Sequence, residues 1–296
     1  MIAPLVVDHL QRAFGSKRVL EDVCFQIEPG TLYGLIGRNG AGKTTTIESI
    51  VGLARPDRGT IAIFGKPPRA NRRSIGHAPQ EIAVYPDLTA RENIAFFADL
   101  YGDRNPRRRA DAILETIGLA ESGDSLASVL SGGQRRLLNL GMAWAHDPPL
   151  LILDEPTVGL DIEARDAVWR MLRDARARGT TILLTTHYLE EADRLCDRVG
   201  ILVVGRIALE GTPHELKSAL GYETVVTVNS DDLEGTQRLL GPHAVTMRVE
   251  DGCVAACVVG APTVDVVVGW LQGIRVSAVA TRPASLEDVY LRASLR

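Results

Sequence analysis

The sequence predicts an α/β fold with a buried parallel sheet, followed by a small α+β domain. Three observations predict it. Residues 37–44 read G-R-N-G-A-G-K-T behind the apolar run 31–36. Residues 150–155 read L-L-I-L-D-E, an apolar run ending in carboxylates, as expected of a parallel strand buried on both faces. From residue 222 the patterns follow the order β-α-β-β-α-β, the ferredoxin-like arrangement.

The elements follow in order. Residues 5–10, 19–27 and 31–36 read as strands, with E-P-G at 28–30 as a turn. A helix is expected after the glycine-rich loop, to about residue 51, and a strand at 60–64. Residues 89–144 are mostly helical in pattern, within a helical subdomain expected at about 85–148. Strands are expected at 150–154 and 180–185, with an amphipathic helix at 163–178 between them, ended by Gly179. Residues 199–204 and 206–210 form a hairpin around Gly205. T-P-H-E at 212–215 is a capping box with proline in the first turn, so a short helix runs to Leu220 and stops at Gly221. The first domain is therefore placed at 1–221 and the second at 222–296. In the second, strands are expected at 223–228, 245–250, 253–259 and 275–281, with helices at 231–240 and 263–272. A last helix opens at Ser285, where Asp288 completes S-x-x-D.

The glycine-rich loop names a ligand. Its glycines let successive backbone N–H groups curl toward one anion. Lys43 adds a charge that reaches β- and γ-phosphates, and the Thr44 hydroxyl can hold Mg²⁺. A strand before the loop and a helix after it are the context this pattern requires. The expected ligand is a nucleoside triphosphate.

Composition bounds the rest. The 296 residues are 45% hydrophobic and 24% charged, ordinary for a folded globular chain. A net charge of −4 argues against nucleic acid as the main partner. The C-terminal domain carries more Asp and Glu than Arg, which points the same way. Cys24, Cys196, Cys253 and Cys257 are scattered; Cys253 and Cys257 share one strand face, and all four read as small buried hydrophobes in a reducing compartment. The N-terminus lacks the basic and apolar regions of a signal peptide, and no apolar run is long enough to cross a bilayer. The arginine-rich stretches 69–73 and 104–109 read first as solvated basic faces, with contact to anionic lipid or a membrane protein as the alternative.

Two further motifs carry chemistry. Asp154, at the carboxyl end of its strand, is placed to accept from a water on Mg²⁺, and Glu155 to polarise a water attacking the γ-phosphorus. L-S-G-G-Q at 130–134 is a helix start. Ser131 is an N-cap, Gln134 completes a capping box, and Gly132 and Gly133 leave backbone N–H groups uncovered at the positive end of the helix dipole.

With G-R-N-G-A-G-K-T upstream and L-L-I-L-D-E downstream, L-S-G-G-Q makes the chain similar to the ATP-binding subunit of an ABC transporter, over residues 5–220. The remaining family elements match in order. Gln80 in H-A-P-Q-E fits the Q-loop, Asp161 in V-G-L-D the D-loop, and His187 in T-T-H the switch histidine. Phe14 fits the aromatic residue that stacks on adenine, where the family more often has Tyr. Taken alone, His187 reads as a structural histidine and Phe14 as core. Residues 79–94 and A-S-L-E-D-V-Y-L at 284–291 are similar to exporters of the daunorubicin-resistance type.

The resemblance implies a P-loop NTPase fold and ATP with Mg²⁺ as ligands. Phe14, Gly37, Arg38, Asn39, Gly40, Ala41, Gly42, Lys43, Thr44 and Thr45 would hold the nucleotide. It further implies a head-to-tail homodimer in which Ser131, Gly132, Gly133, Gln134 and Asp161 of the second copy complete the site. Glu155 would be the general base, His187 and Lys43 would contact the γ-phosphate, and Thr44, Gln80 and Asp154 would surround Mg²⁺. The partner would be a separate ABC-2-type permease, with the chain peripheral on the cytoplasmic face of a bacterial membrane. Export of a drug, antibiotic or lipid-like compound is the first reading; an importer subunit or a non-transport ABC ATPase is the alternative. The C-terminal domain reads as regulatory or dimer-stabilising.

Overall fold

The computed structural model describes residues 2–294 and divides into two compact units, Met1–Glu210 and Gly211–Arg296. The first unit opens with β1 (Leu5–Phe14), β2 (Lys17–Ile27) and β3 (Leu32–Ile36), then α1 (Lys43–Ile50) and β4 (Arg58–Ile63). It continues through β5 (Ile75–Ala78), α2 (Ala90–Leu100), α3 (Pro106–Thr116), α4 (Gly132–Ala143) and β6 (Leu150–Asp154). It closes with α5 (Ile162–Ala177), β7 (Thr181–Thr186), α6 (Leu189–Leu195), β8 (Arg198–Val203) and β9 (Arg206–Gly211).

These strands form one sheet in the order β4-β1-β2-β9-β8-β3-β7-β6-β5. The block β8-β3-β7-β6-β5 is parallel, and the edge β4-β1-β2 is antiparallel. β3, β6 and β7 are buried at every residue, which is why their sequences are apolar runs rather than alternations. β1 and β2 have one buried face, built from Leu5, Val7, Leu10, Val23, Phe25 and Ile27. Parallel order places the carboxyl ends of β3, β6 and β7 at one edge of the sheet, where the chemistry-bearing residues gather.

β5 and α6 were not expected from the sequence. β5 is four residues long and its apolar run is broken by Gly76 and His77; it becomes a strand because β6 pairs with it. Gly76 is required there: a Cβ would stand 2.1 Å from the Ala143 carbonyl oxygen. α2, α3 and α4 pack on one another. Thr89 and Glu92 form the capping box of α2, and Pro106 opens α3. Among the arginines, Arg109 is structural: it donates to the Ala145 and Trp144 carbonyls past the end of α4, at 3.1 Å each. Arg104, Arg107 and Arg108 are exposed.

Burial pulls the pKa of His77 down to about 4 from 6.5, and its Nε2 has no hydrogen-bond partner among the described residues. The folded state therefore prefers neutral His77. Its contribution is complete above pH 6.5 and is lost as pH falls toward 4, a swing of at most about 3 kcal/mol. His77→Gln is expected to flatten that part of the stability profile. Thermal unfolding of both proteins across this pH range checks it; parallel profiles would remove His77 as the cause.

The second unit holds α7 (Pro213–Ser218), β10 (Thr224–Ser230), α8 (Leu233–Leu240), β11 (Ala244–Glu250), β12 (Cys253–Val258), α9 (Val264–Trp270), β13 (Val276–Pro283) and α10 (Leu286–Ser294). Its sheet is antiparallel, in the order β11-β12-β10-β13. α8 and α9 cover one face over Val226, Val228, Leu240, Val254, Ala256, Val258 and Val267. Cys257 faces the other side and is buried, while Cys253 is half-buried; all four cysteines are free. The sequence placed α7 in the first domain. It groups with the second because Arg292 of α10 donates to the Ala219 and Leu220 carbonyls, at 3.0 and 2.9 Å, just past its end.

Candidate functional site

The loop between β3 and α1 is built on glycine. Gly40 and Gly42 take φ of +82° and +111°, a region side chains strain to reach. A Cβ on Gly42 would also meet Leu20 at 2.5 Å. Gly37 is buried, whereas Arg38, Asn39 and Gly40 are exposed. Ala41 and Thr45 are half-buried, and Thr44 is exposed at the start of α1. Lys43 is only 5% exposed, and its Nζ donates to the Gly37 carbonyl at 2.8 Å.

The charge opposite Lys43 comes from the end of β6. Glu155 has φ of +49°, left-handed for a non-glycine residue, at a cost of about 1–3 kcal/mol. Its N–H is held by the Thr185 carbonyl and the Thr185 hydroxyl, both at 3.1 Å. The turn carries its carboxylate to Lys43, with Nζ 3.2 Å from Oε1 and both side chains buried. Gln80 Nε2 donates to Glu155 Oε2 at 3.4 Å. His187 Nδ1 stands 3.2 Å from that same oxygen, without hydrogen-bond alignment. One carboxylate thus collects the loop lysine, the glutamine after β5 and the histidine after β7.

Asp154 lies one residue earlier and is 2% exposed. Burial pushes its pKa up, and hydrogen bonds from the Thr185 and Thr44 hydroxyls oppose the shift. Thr44 and Asp154, both expected around Mg²⁺, are therefore already neighbours. Their oxygen donors, with the Gln80 amide, suit a hard cation.

Thr185 and Arg136 belong to the site but were not singled out from the sequence. Thr185 ends an apolar run, and only the pairing of β6 with β7 brings it to Asp154 and Glu155. Arg136 of α4 donates to the Gln80 carbonyl at 2.7 Å. Burial pulls its pKa down against the charges of Glu155 and Asp154. Asn139, one turn on, donates to the Pro79 carbonyl and accepts from Ala83 N–H, both at 3.2 Å, so α4 pins the chain on both sides of Gln80.

Other expected residues stand elsewhere. Ser131 and Gln134 form the capping box of α4, with the Ser131 side chain accepting from Gln134 N–H. Ser131 and Gly132 are exposed, and a Cβ on Gly132 would meet nothing within 4 Å. Among the described residues, none of the contacts of Lys43, Gln80, Asp154, Glu155 or His187 reaches Ser131–Gln134. Asp161 is exposed and caps α5, accepting from Ala164 N–H at 2.8 Å. Phe14, at the end of β1, is 50% exposed rather than core, with the Arg12 guanidinium 4.8 Å over its ring.

Residues 20–158 match the ABC transporter family. The chain is 38% identical to a Nod factor export ATP-binding protein I of Burkholderia orbicola (strain AU 1054), covering 98% of this chain and 97% of that protein. A solved ATP-binding subunit of an ABC transporter superposes with a TM-score of 0.68 and 36% identity, covering 73% of this chain and 93% of that one. A dimeric ATP-binding cassette in a post-hydrolysis state, bound to ADP and Pi, shares the fold: TM-score 0.65, 24% identity, 70% and 98% covered. The chain belongs to the ABC transporter family, as an ATP-binding subunit that hydrolyses ATP.

Proposed function

We propose that two copies of the chain close head-to-tail over two ATP molecules and so drive a separate ABC-2-type permease that exports its cargo. The observation that carries the reading is the convergence of Lys43, Gln80 and His187 on the buried Glu155 carboxylate beside the phosphate loop.

In this reading Lys43 and the loop N–H groups neutralise the phosphates, with Gly37 to Thr45 lining them and Phe14 against the base. Thr44, Gln80 and Asp154 would hold Mg²⁺, which when bound would supply charge neutralisation at the phosphates. Glu155 accepts the proton of the attacking water, and His187 holds the γ-phosphate in position. The helix start at Ser131–Gln134, exposed at Ser131 and Gly132, and the exposed Asp161 contact none of Lys43, Gln80, Asp154, Glu155 or His187 of their own copy. They complete the site of the second copy, where the α4 dipole meets the γ-phosphate. A site divided in this way makes hydrolysis conditional on closure.

No helix among the described residues is long and apolar enough to cross a membrane, so a transport reading needs a separate membrane protein. The relative named for Nod factor export, alike over 98% of this chain, supports export and a peripheral place on the cytoplasmic face of the membrane. Gln80 is the natural relay to the permease, since Arg136 and Asn139 couple its segment to α4. Co-purification from membranes tests the partner. A polytopic permease of the ABC-2 type that stays bound and stimulates ATP turnover is the expected result. Isolation with an importer permease and its binding protein would overturn the export reading.

A further inference from the structure

We propose that Asp8, His9 and Cys24 form a binding site for a borderline divalent metal, zinc in type, on the outer face of the β1–β2 pair. The strand is bent to make it. In β1, Leu5 and Val7 point inward, and simple alternation would send His9 inward too. Instead His9 takes φ of +48°, and the register with β2 shifts between Val7 and Leu10. Asp8 and His9 are consequently both exposed, while Leu10 keeps its place in the core. The bulge fits against Gly59 of β4, where any Cβ would stand 2.3 Å from the His9 carbonyl oxygen. In β2, Val23 and Phe25 point inward, so Cys24 between them faces the same outer side.

The donor atoms of Asp8, His9 and Cys24 all lie within 4.8 Å of one another. His9 Nε2 is 3.9 Å from Asp8 Oδ1. His9 Nδ1 is 2.8 Å from Asp22 Oδ1, and an ionised carboxylate only accepts, so Nδ1 carries a ring proton and Nε2 is the nitrogen left for a metal. A carboxylate behind a histidine in this way is the arrangement that orients imidazole ligands toward zinc. Arg206 Nη1 stands 3.9 Å from the other Asp22 oxygen and steadies it. The His9 N–H donates to Cys24 Sγ at 3.1 Å and fixes the sulfur beside the imidazole; partial burial and the Asp22 and Asp8 carboxylates hold the free thiol above its ordinary pKa, so the metal itself must displace the Cys24 proton. One nitrogen, one sulfur and one carboxylate select zinc-like ions over Mg²⁺ or Ca²⁺, which take oxygen ligands. Three protein ligands leave the fourth position to water. The site shares no residue with the nucleotide site.

Cobalt(II) titration of the full chain without nucleotide tests this. The expected result is a thiolate-to-cobalt charge-transfer band that saturates at one equivalent and is displaced by Zn²⁺. Cys24→Ser should abolish the band. His9→Asn, whose side chain tolerates the left-handed backbone, should weaken binding at least about tenfold, and Asp22→Asn by roughly 10- to 100-fold. No band at saturating Co²⁺, or a band that survives Cys24→Ser, would overturn the proposal.

Discussion

Glu155→Gln is expected to bind ATP while its turnover falls by about 10²–10⁴-fold, the scale of losing a general base. The glutamine keeps the size and shape of the carboxylate, so the buried pocket is undisturbed, but it cannot take the proton of water. The Lys43 contact sharpens the expectation. Lys43 Nζ is 3.2 Å from Glu155 Oε1, so a phosphate arriving at Lys43 competes with that carboxylate. Removing the negative charge removes the competitor, and ATP affinity should be unchanged or higher. Calorimetry for binding and single-turnover assays for hydrolysis separate the two quantities. Hydrolysis near the parent rate would remove Glu155 from the role assigned to it.

Lys43→Ala is expected to weaken ATP binding by roughly 10- to 150-fold, the worth of about 1.5–3 kcal/mol for hydrogen bonds to a charged group. It has a second consequence. Glu155 stays buried and loses its cation, and breaking a buried pair from one side costs about 3–5 kcal/mol. The double variant Lys43→Ala with Glu155→Gln should recover much of that stability but none of the ATP affinity. Unfolding curves and calorimetry on all four proteins form a cycle that distinguishes a phosphate ligand from a structural lysine. ATP binding unchanged in Lys43→Ala would count against the whole site.

The motif residues were legible because their spacing is local. Gly37 to Thr44 and the Ser131–Gln134 capping box depend on neighbours a few residues away, and both form as the sequence implies. The doubly buried strands were legible as apolar runs, and the second unit as an alternation of strand and helix patterns. What could not be read depends on distant partners. Thr185 is an ordinary strand residue until β6 pairs with β7, and Arg136 an ordinary helix residue until it meets the Gln80 carbonyl. The left-handed backbone of Glu155 has no glycine to announce it; the Thr185 carbonyl and hydroxyl impose it. The bulge at His9 hides in the same way, as does the grouping of α7 with the second unit through Arg292.

Ser131 and Gly132 at the start of α4 are exposed and make no contact with Lys43, Gln80 or Glu155 of their own copy, which leaves them for ATP enclosed between two copies. Sedimentation velocity of the Glu155→Gln protein with Mg²⁺ and saturating ATP measures this directly. A monomer without nucleotide that becomes a dimer with ATP, and stays a monomer when Ser131→Arg is added, is the predicted result. A protein that remains monomeric with Mg²⁺–ATP, or dimerises equally well with Ser131→Arg, would contradict it.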